Sequence, residues 1–241
     1  MKLRLSLFSA LVPFLFAAPT AQAQTTRELT GTLVAAMNGT HTPAMGAIIF
    51  RDGRIAASAV TGLRRTDQSA HVALGDSWII GSTGKPQTVA MVARLVERGI
   101  VSWDTPLAKM LPALADQMRP EYRSVTLVQL LSHHAGLPEN VDDPAFVQSF
   151  FTDKRPLRAQ RLAYVSRALR DDPVYAPGSD FGYSNTGFLL AAVVAEAATG
   201  KSYEALMRRE IFRPLGMTSA GFGATPRDQP SGHDEDRKSV V

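Results

Sequence analysis

Gly81-Ser82-Thr83-Gly84-Lys85-Pro86 opens a stretch that continues as Gln87-Thr88-Val89-Ala90-Met91-Val92-Ala93-Arg94-Leu95-Val96-Glu97-Arg98-Gly99. Apolar residues recur at helical spacing from about Ser82 to Arg98, and Gly99 stops the pattern. Pro86 is compatible with a helix there, because it falls in about the first turn, where amide protons lack intrahelical partners. A serine and a lysine three positions apart lie about one turn apart on the same helix face, so the ammonium can reach the hydroxyl. A serine hydroxyl is a weak nucleophile until a neighbour takes its proton. A lysine can do so when burial or a positive field lowers its pKa. The backbone N–H groups and positive dipole of a helix start suit an oxyanion forming on a carbonyl held there. Taken alone, the Ser82–Lys85 spacing is better explained as an ordinary capped helix start, since a Ser-x-x-Lys arises by chance about once per few hundred residues.

Upstream, Ala44–Phe50 and Ile55–Thr61 are β-rich runs, and Arg51-Asp52-Gly53-Arg54 between them carries an Asp-Gly hairpin turn. Arg27–Met37 before them has helical character, with Thr25 or Thr26 as its cap and Gly39 beyond its end. Downstream, Val101–Pro138 is broken by four prolines (Pro106, Pro112, Pro120, Pro138) into short helices and loops, with Thr126 capping a helix over Leu127–His134. Further helices are expected over Arg155–Arg170, Asn185–Ala198 and Ser202–Phe212. The second of these is nearly all apolar and too short to span a bilayer, so it reads as a buried core helix. A two-stranded sheet is marginal alone, so the hairpin is expected to belong to a larger sheet whose remaining strands are not in this chain.

The chain has 241 residues, 26 Lys plus Arg against 22 Asp plus Glu, and no cysteine. That excludes a thiol nucleophile, a disulfide framework, Cys-ligated zinc or iron–sulfur clusters, and lipid on an N-terminal Cys. Residues 1–23 read as a secretory signal peptide: Lys2 and Arg4, an apolar run over Leu5–Ala18, then Ala21-Gln22-Ala23 as a small-x-small cleavage site. The apolar run of about 14 residues falls short of the roughly 20 that a spanning helix needs. Export to the periplasm or medium, with no stable membrane anchor after cleavage, is therefore expected. Removing the signal lowers the net charge of +4 by two, which argues against a nucleic-acid partner. The nearest basic stripe, Lys154, Arg155, Arg158 and Arg161 at helical spacing, reads as a solvated helix face or, less simply, as a membrane-surface contact.

Tyr183-Ser184-Asn185 sits between a Pro/Gly loop and the apolar helix. A phenol titrates near 10, roughly matching lysine, so the two can share a proton and relay it to a leaving group. The Asn185 amide can donate to a substrate carbonyl or towards the lysine, or it can simply cap the helix that follows. His133 and His134 invite a metal reading. Adjacent residues on a helix point apart, however, and a structural role at a helix C-terminus is the simpler account. Trp78 and Trp103 are expected in the core.

Together these stretches resemble the β-lactamase-related serine hydrolases: class C β-lactamases, D-alanyl-D-alanine carboxypeptidases and esterases on the same scaffold. The matching segments are Gly81–Pro86 with Thr88 and Ala90, Leu130-Leu131-Ser132-His133-His134-Ala135-Gly136-Leu137-Pro138, Pro177-Gly178 with Tyr183-Ser184-Asn185, and Pro214-Leu215-Gly216-Met217. The resemblance covers about residues 25–225. It implies an α+β fold, an antiparallel sheet flanked by helices, with a helical subdomain over about 101–185 inserted between sheet-associated segments 24–100 and 186–225. It implies Ser82 as acylated nucleophile, Lys85 as general base or base partner, Tyr183 as proton carrier and Asn185 as substrate-binding residue. The Ser82 N–H would form half of the oxyanion hole. No metal or organic cofactor is implied. The substrate would be an ester, a D-amino-acid peptide or a β-lactam. Class A β-lactamases use Ser-Asp-Asn as second element; Tyr-Ser-Asn here resembles the class C, carboxypeptidase and esterase side.

The family's third element, Lys-Thr-Gly or His-x-Gly on a strand beside the nucleophile, has no match after Asn185. Ser231-Gly232-His233 lies in a polar tail (226–241) with no strand expected after it. The chain therefore reads as lacking the C-terminal strands, whether as an N-terminal fragment, a frameshifted product or a truncated paralogue. One missing oxyanion donor costs about 10²- to 10³-fold in turnover. Weak or lost activity is the expectation, and the competing one is a non-catalytic remnant that binds cell-wall peptide or a partner protein.

Overall fold

The computed structural model describes residues 21–226, 228–233 and 239–240, with side chains described within 25–231. The expected signal peptide falls almost wholly on residues outside the described ones. The chain divides into two compact units, one of residues 1–79 with 223–241 and one of residues 80–222.

In the first unit, helix α1 (Ala21–Met37) packs on a hairpin of β1 (Ala44–Arg51) and β2 (Arg54–Gly62). Asp52 and Gly53 both have positive φ, 51° and 72°, the mirror-image turn that matches strand twist. Ala57 and Ala59 are buried on one face, and Leu33 of α1 is buried as well. Ile48 and Phe50 of β1 remain exposed, Phe50 to 68 %. Among the described residues this sheet has two strands, β1 and β2. A two-residue antiparallel ladder joins β3 (Gly232–His233) to β4 (Ser239–Val240), where no strand was expected; main-chain pairing needs no apolar side chains. Trp78 is not a core residue, being 38 % exposed. Arg64 grips Asp76 with two hydrogen bonds of 2.8 and 2.6 Å.

The second unit is helical. It comprises α2 (Lys85–Glu97), α3 (Leu107–Met110), α4 (Leu127–Leu131), α5 (Pro144–Ser149), α6 (Leu157–Ala168), α7 (Asn185–Thr199) and α8 (Tyr203–Met207), the last continuing as a π-helical turn over Arg208–Phe212. Helix α7 runs through the middle, burying Leu190 and Ala191–Ala195 against α2 (Met91, Val92, Leu95), Leu107, Leu127, Leu130, Val165 and Leu206. Helices α2 and α7 share this one core with the segments between them. Trp103 packs against the same core, as expected.

Four helices differ from the sequence expectation. Helix α1 already begins at Ala21, so Thr25 and Thr26 lie within it instead of capping it. The Ser82 end is a 3-10 turn (Gly81–Gly84) before the α-helix begins. Helix α4 begins with the expected Thr126 cap, in a capping box with Gln129, but ends at Leu131 instead of His134 because His133 is left-handed (φ 63°). Helix α6 is shorter at both ends than Arg155–Arg170, since Pro156 is its N-cap and Leu169 its C-cap. The basic stripe is not a free face. Arg155 binds Asp153, Arg158 donates to the carbonyls of Glu196 and Gly200, and Arg161 is held by Glu196 (2.6 Å) and Glu204 (2.8 Å). Two of its four charges, Arg155 and Arg161, thus meet carboxylates within the chain, and a third, Arg158, holds main-chain carbonyls. Among the described residues, no helix is long and apolar enough to cross a membrane.

Candidate active site

All four residues singled out from the sequence meet at one place in the helical unit. Ser82 lies in the 3-10 turn and Lys85 is the first residue of α2. Pro86 follows without loss of a helical bond, as its first-turn place requires. Below them, Thr88 is buried with its hydroxyl 2.8 Å from Tyr203, and Met91, Val92 and Leu95 anchor the helix in the core.

Tyr183 and Asn185 arrive from about 100 residues away, brought by a latch between two loops. The segment after α4 pairs with the segment before α7: Gly182 N–H donates to the His133 carbonyl, Gly178 N–H to that of His134, and Val174 N–H to that of Gly136. Gly136 has φ 70°, and a β-carbon there would sit 2.4 Å from the Tyr175 carbonyl, so only glycine permits this approach. The Asn185 N–H donates to the Glu139 carbonyl (2.9 Å), and the Ser184 hydroxyl donates to that of Pro138 (2.8 Å). Two of the sequence segments quoted for the resemblance are therefore the two halves of one physical contact.

Lys85 Nζ donates three hydrogen bonds: to Ser82 Oγ (2.9 Å), the Tyr183 hydroxyl (2.5 Å) and Asn185 Oδ1 (2.8 Å). Those are all the N–H bonds an ammonium has. Ser82 Oγ is also 2.6 Å from the Tyr183 hydroxyl, closing a triangle of three groups. The hydrogen bond from Lys85, then that from Ser82, holds the Tyr183 phenol below the ordinary tyrosine range. Asn185 neither caps its helix nor donates to the lysine. Ser184 is the cap, accepting from Gly187 N–H, while the Asn185 carbonyl accepts from Lys85 and its NH₂ donates to Asn140 Oδ1 (3.0 Å). An ammonium has only donors, which fixes that direction.

Sequence reasoning missed the neighbours Asn140 and His133. His133 was read as a helix-end residue, yet its ring lies against that of Tyr183 with centroids 4.6 Å apart. Both belong to or adjoin the Leu130–Pro138 segment, and only the loop latch reveals whom they face. Ser82 is exposed and Tyr183 is 38 % exposed, so the described residues leave the nucleophile open on one side. Among the described residues, no cluster of His, Asp and Glu is arranged to hold a metal ion.

A helical unit of this kind, with a small antiparallel sheet, is the fold of the penicillin-binding proteins and β-lactamases. A family model described as Beta-lactamase matches residues 29–239, and the chain belongs to that family. The match reaches through most of the polar tail, to residue 239. Among relatives, the D-alanyl-D-alanine-carboxypeptidase/endopeptidase AmpH of Escherichia coli K12 is 35 % identical over 147 residues, 61 % of this chain and 37 % of AmpH. Protein flp of Staphylococcus aureus strain COL is 24 % identical over 186 residues, 77 % of this chain and 36 % of flp. Among solved structures, the octameric penicillin-binding protein homologue from Pyrococcus abyssi superposes with TM-score 0.72 at 26 % identity, over 89 % of this chain and 49 % of that one. The D-alanine carboxypeptidase AmpC from Burkholderia cenocepacia gives 0.69 at 25 %, over 91 % of this chain and 57 % of that one. The chain thus spans little more than a third of the length of the curated relatives it matches.

Proposed function

We propose that this chain is an exported serine hydrolase that forms an acyl-enzyme on Ser82 with an ester, a D-amino-acid peptide or a β-lactam. The observation that carries this reading is the Ser82–Lys85–Tyr183 triangle with Asn185 as the lysine's third acceptor. Its Beta-lactamase membership and its likeness to two D-alanine carboxypeptidases support the substrate class.

The short contacts support an order of proton movement. Ser82 Oγ accepts from Lys85 and lies 2.6 Å from the Tyr183 oxygen, and with Tyr183 as phenolate the Ser82 proton passes to that oxygen. Lys85 is then a base partner that stabilises the phenolate, and Tyr183 is the base. As Oγ bonds to the substrate carbonyl carbon, Tyr183 takes the proton, and the oxyanion faces the Ser82 N–H at the start of the 3-10 turn. Tyr183 returns the proton to the leaving nitrogen or oxygen as that bond breaks. It then deprotonates a water, which adds to the acyl carbon, and protonates Ser82 as the ester breaks. Asn185 keeps Lys85 in place and, beside Asn140, presents an amide to the substrate.

Fluorescent penicillin and a fluorophosphonate, applied to the chain and to Ser82→Ala, test this reading. Labelling lost in Ser82→Ala supports it; labelling that persists there refutes it. The open side of Ser82 favours a second reading, a non-catalytic chain that binds cell-wall peptide or a partner protein; a folded chain that retains peptide but never labels would establish it. Export is tested by N-terminal sequencing of the mature protein, with a start at Gln24 expected.

A further inference from the structure

We propose that His133 is a positioning residue for Tyr183, setting both the backbone and the ring of the phenol against the Ser82–Lys85 pair. This rests on the reading of Tyr183 as the proton carrier. His133 has φ 63°, a conformation that residues with a side chain rarely adopt and that helix ends usually give to glycine or asparagine. What it gains there is a set of contacts on both sides of residue 183. Its Nδ1 accepts from the Ser184 N–H (3.0 Å), and its carbonyl accepts from the Gly182 N–H (2.9 Å) and the Tyr175 hydroxyl (3.0 Å).

The imidazole completes the arrangement. It lies against the Tyr183 ring at 4.6 Å and 30°, against Phe188 at 5.2 Å, and meets Phe181 edge-on at 5.7 Å. The two residues flanking Tyr183 are thus tied to His133, and one face of its ring is packed, while Lys85 Nζ sits 4.7 Å from the ring centroid. The hydroxyl is left to meet Ser82 and Lys85. Because Nδ1 accepts, the ring proton sits on Nε2 and the imidazole is neutral. Burial, then the Lys85 ammonium and His134, lower its pKa in the direction that keeps Nδ1 an acceptor.

The test reads the phenol itself. Tyrosinate absorbance is followed through alkaline pH in the full chain and in Tyr183→Phe, and the difference isolates residue 183 from the other tyrosines. The charged groups that set its titration are Lys85, which lowers it, and Glu139, which raises it. With His133→Ala, the Tyr183 titration is expected to move up towards the ordinary tyrosine value. The labelling rate at saturating fluorescent penicillin should fall by about 10²-fold, the scale of a small misplacement of a reacting group, with little change in half-saturation. A folded His133→Ala chain whose Tyr183 titration is unchanged overturns the proposal. Should the alanine chain fail to fold, His133→Asn replaces it, since it keeps the left-handed backbone and an acceptor for Ser184 but removes the ring. A smaller upward shift in that variant supports the proposal, and no shift overturns it. A parent chain that never labels, yet has a low Tyr183 titration that is lost on His133→Ala, would refute the hydrolase reading and leave the positioning role standing.

Discussion

The helical unit and the sheet unit of this chain are built to different depths. In the former, α7 is wrapped by α2, α4, α6 and α8, and a continuous core runs from Met91 to Phe212. In the latter, the buried apolar side chains among the described residues are Leu33, Ala57, Ala59, Val72 and Pro230, while Ile48, Phe50, Ile55 and Leu74 stay exposed. Every group of the Ser82 cluster belongs to the deep unit. The cluster is therefore supported by one packed core and two latched loops. The contrast teaches that side chains about 100 residues apart in sequence are held together here by the depth of one core and a pair of latched loops.

The largest expected effect lies in the deep unit's chemistry. Lys85→Ala should lower the labelling rate by about 10²- to 10⁴-fold, the usual span for a proton-transfer group, with the circular dichroism spectrum retained; labelling at the parental rate would remove Lys85 from the mechanism. Core depth comes next. Leu130 is fully buried, and Leu130→Ala should cost about 2–5 kcal/mol in denaturant unfolding. Phe50→Ser in the sheet unit should stay within about 0.5 kcal/mol. Equal losses would abolish the distinction between the two units.

A finer probe is Gly187→Ala, where a β-carbon would stand 2.8 Å from the Leu130 carbonyl. Forcing α7 off α4 should cost about 1–3 kcal/mol and shift Asn185 away from Lys85, so stability and labelling should fall together; a fall in neither would mean that the close approach is not needed.

The smallest effect concerns the sheet unit's acid stability. The hydrogen bonds from Arg64 hold Asp76 below the ordinary aspartate range. A depressed folded pKa contributes stability that is present above the unfolded value and is lost as pH falls through the folded one. Asp76→Asn should therefore flatten the acid limb of hydrogen-exchange protection in β1 and β2 while leaving α7 unchanged. An unaltered acid limb would contradict this.

Much of the fold was legible locally. The Asp52-Gly53 turn, the Thr126 cap, the Gly99 stop and the apolar run of α7 are all short-range signals, and each stands where its residues put it. The spacing of Ser82 and Lys85 likewise gave their contact directly. What local signals do not carry is the partner across 50 or 100 residues. The early end of α4 depends on His133 turning to meet Ser184 and Tyr183, and Arg161 of the basic stripe is held by Glu196 and Glu204 on other helices. Likewise, the direction of the Asn185–Lys85 bond follows only once the two are known to touch.

The pH dependence of Ser82 acylation by fluorescent penicillin, measured in the parent chain and in Lys85→Ala, tests most directly the claim that Lys85 holds Tyr183 ready as the base. The account predicts a rate that rises with pH on a limb set below the ordinary tyrosine range, and a residual rate in Lys85→Ala whose limb lies higher. A limb at the same pH in both proteins would contradict it.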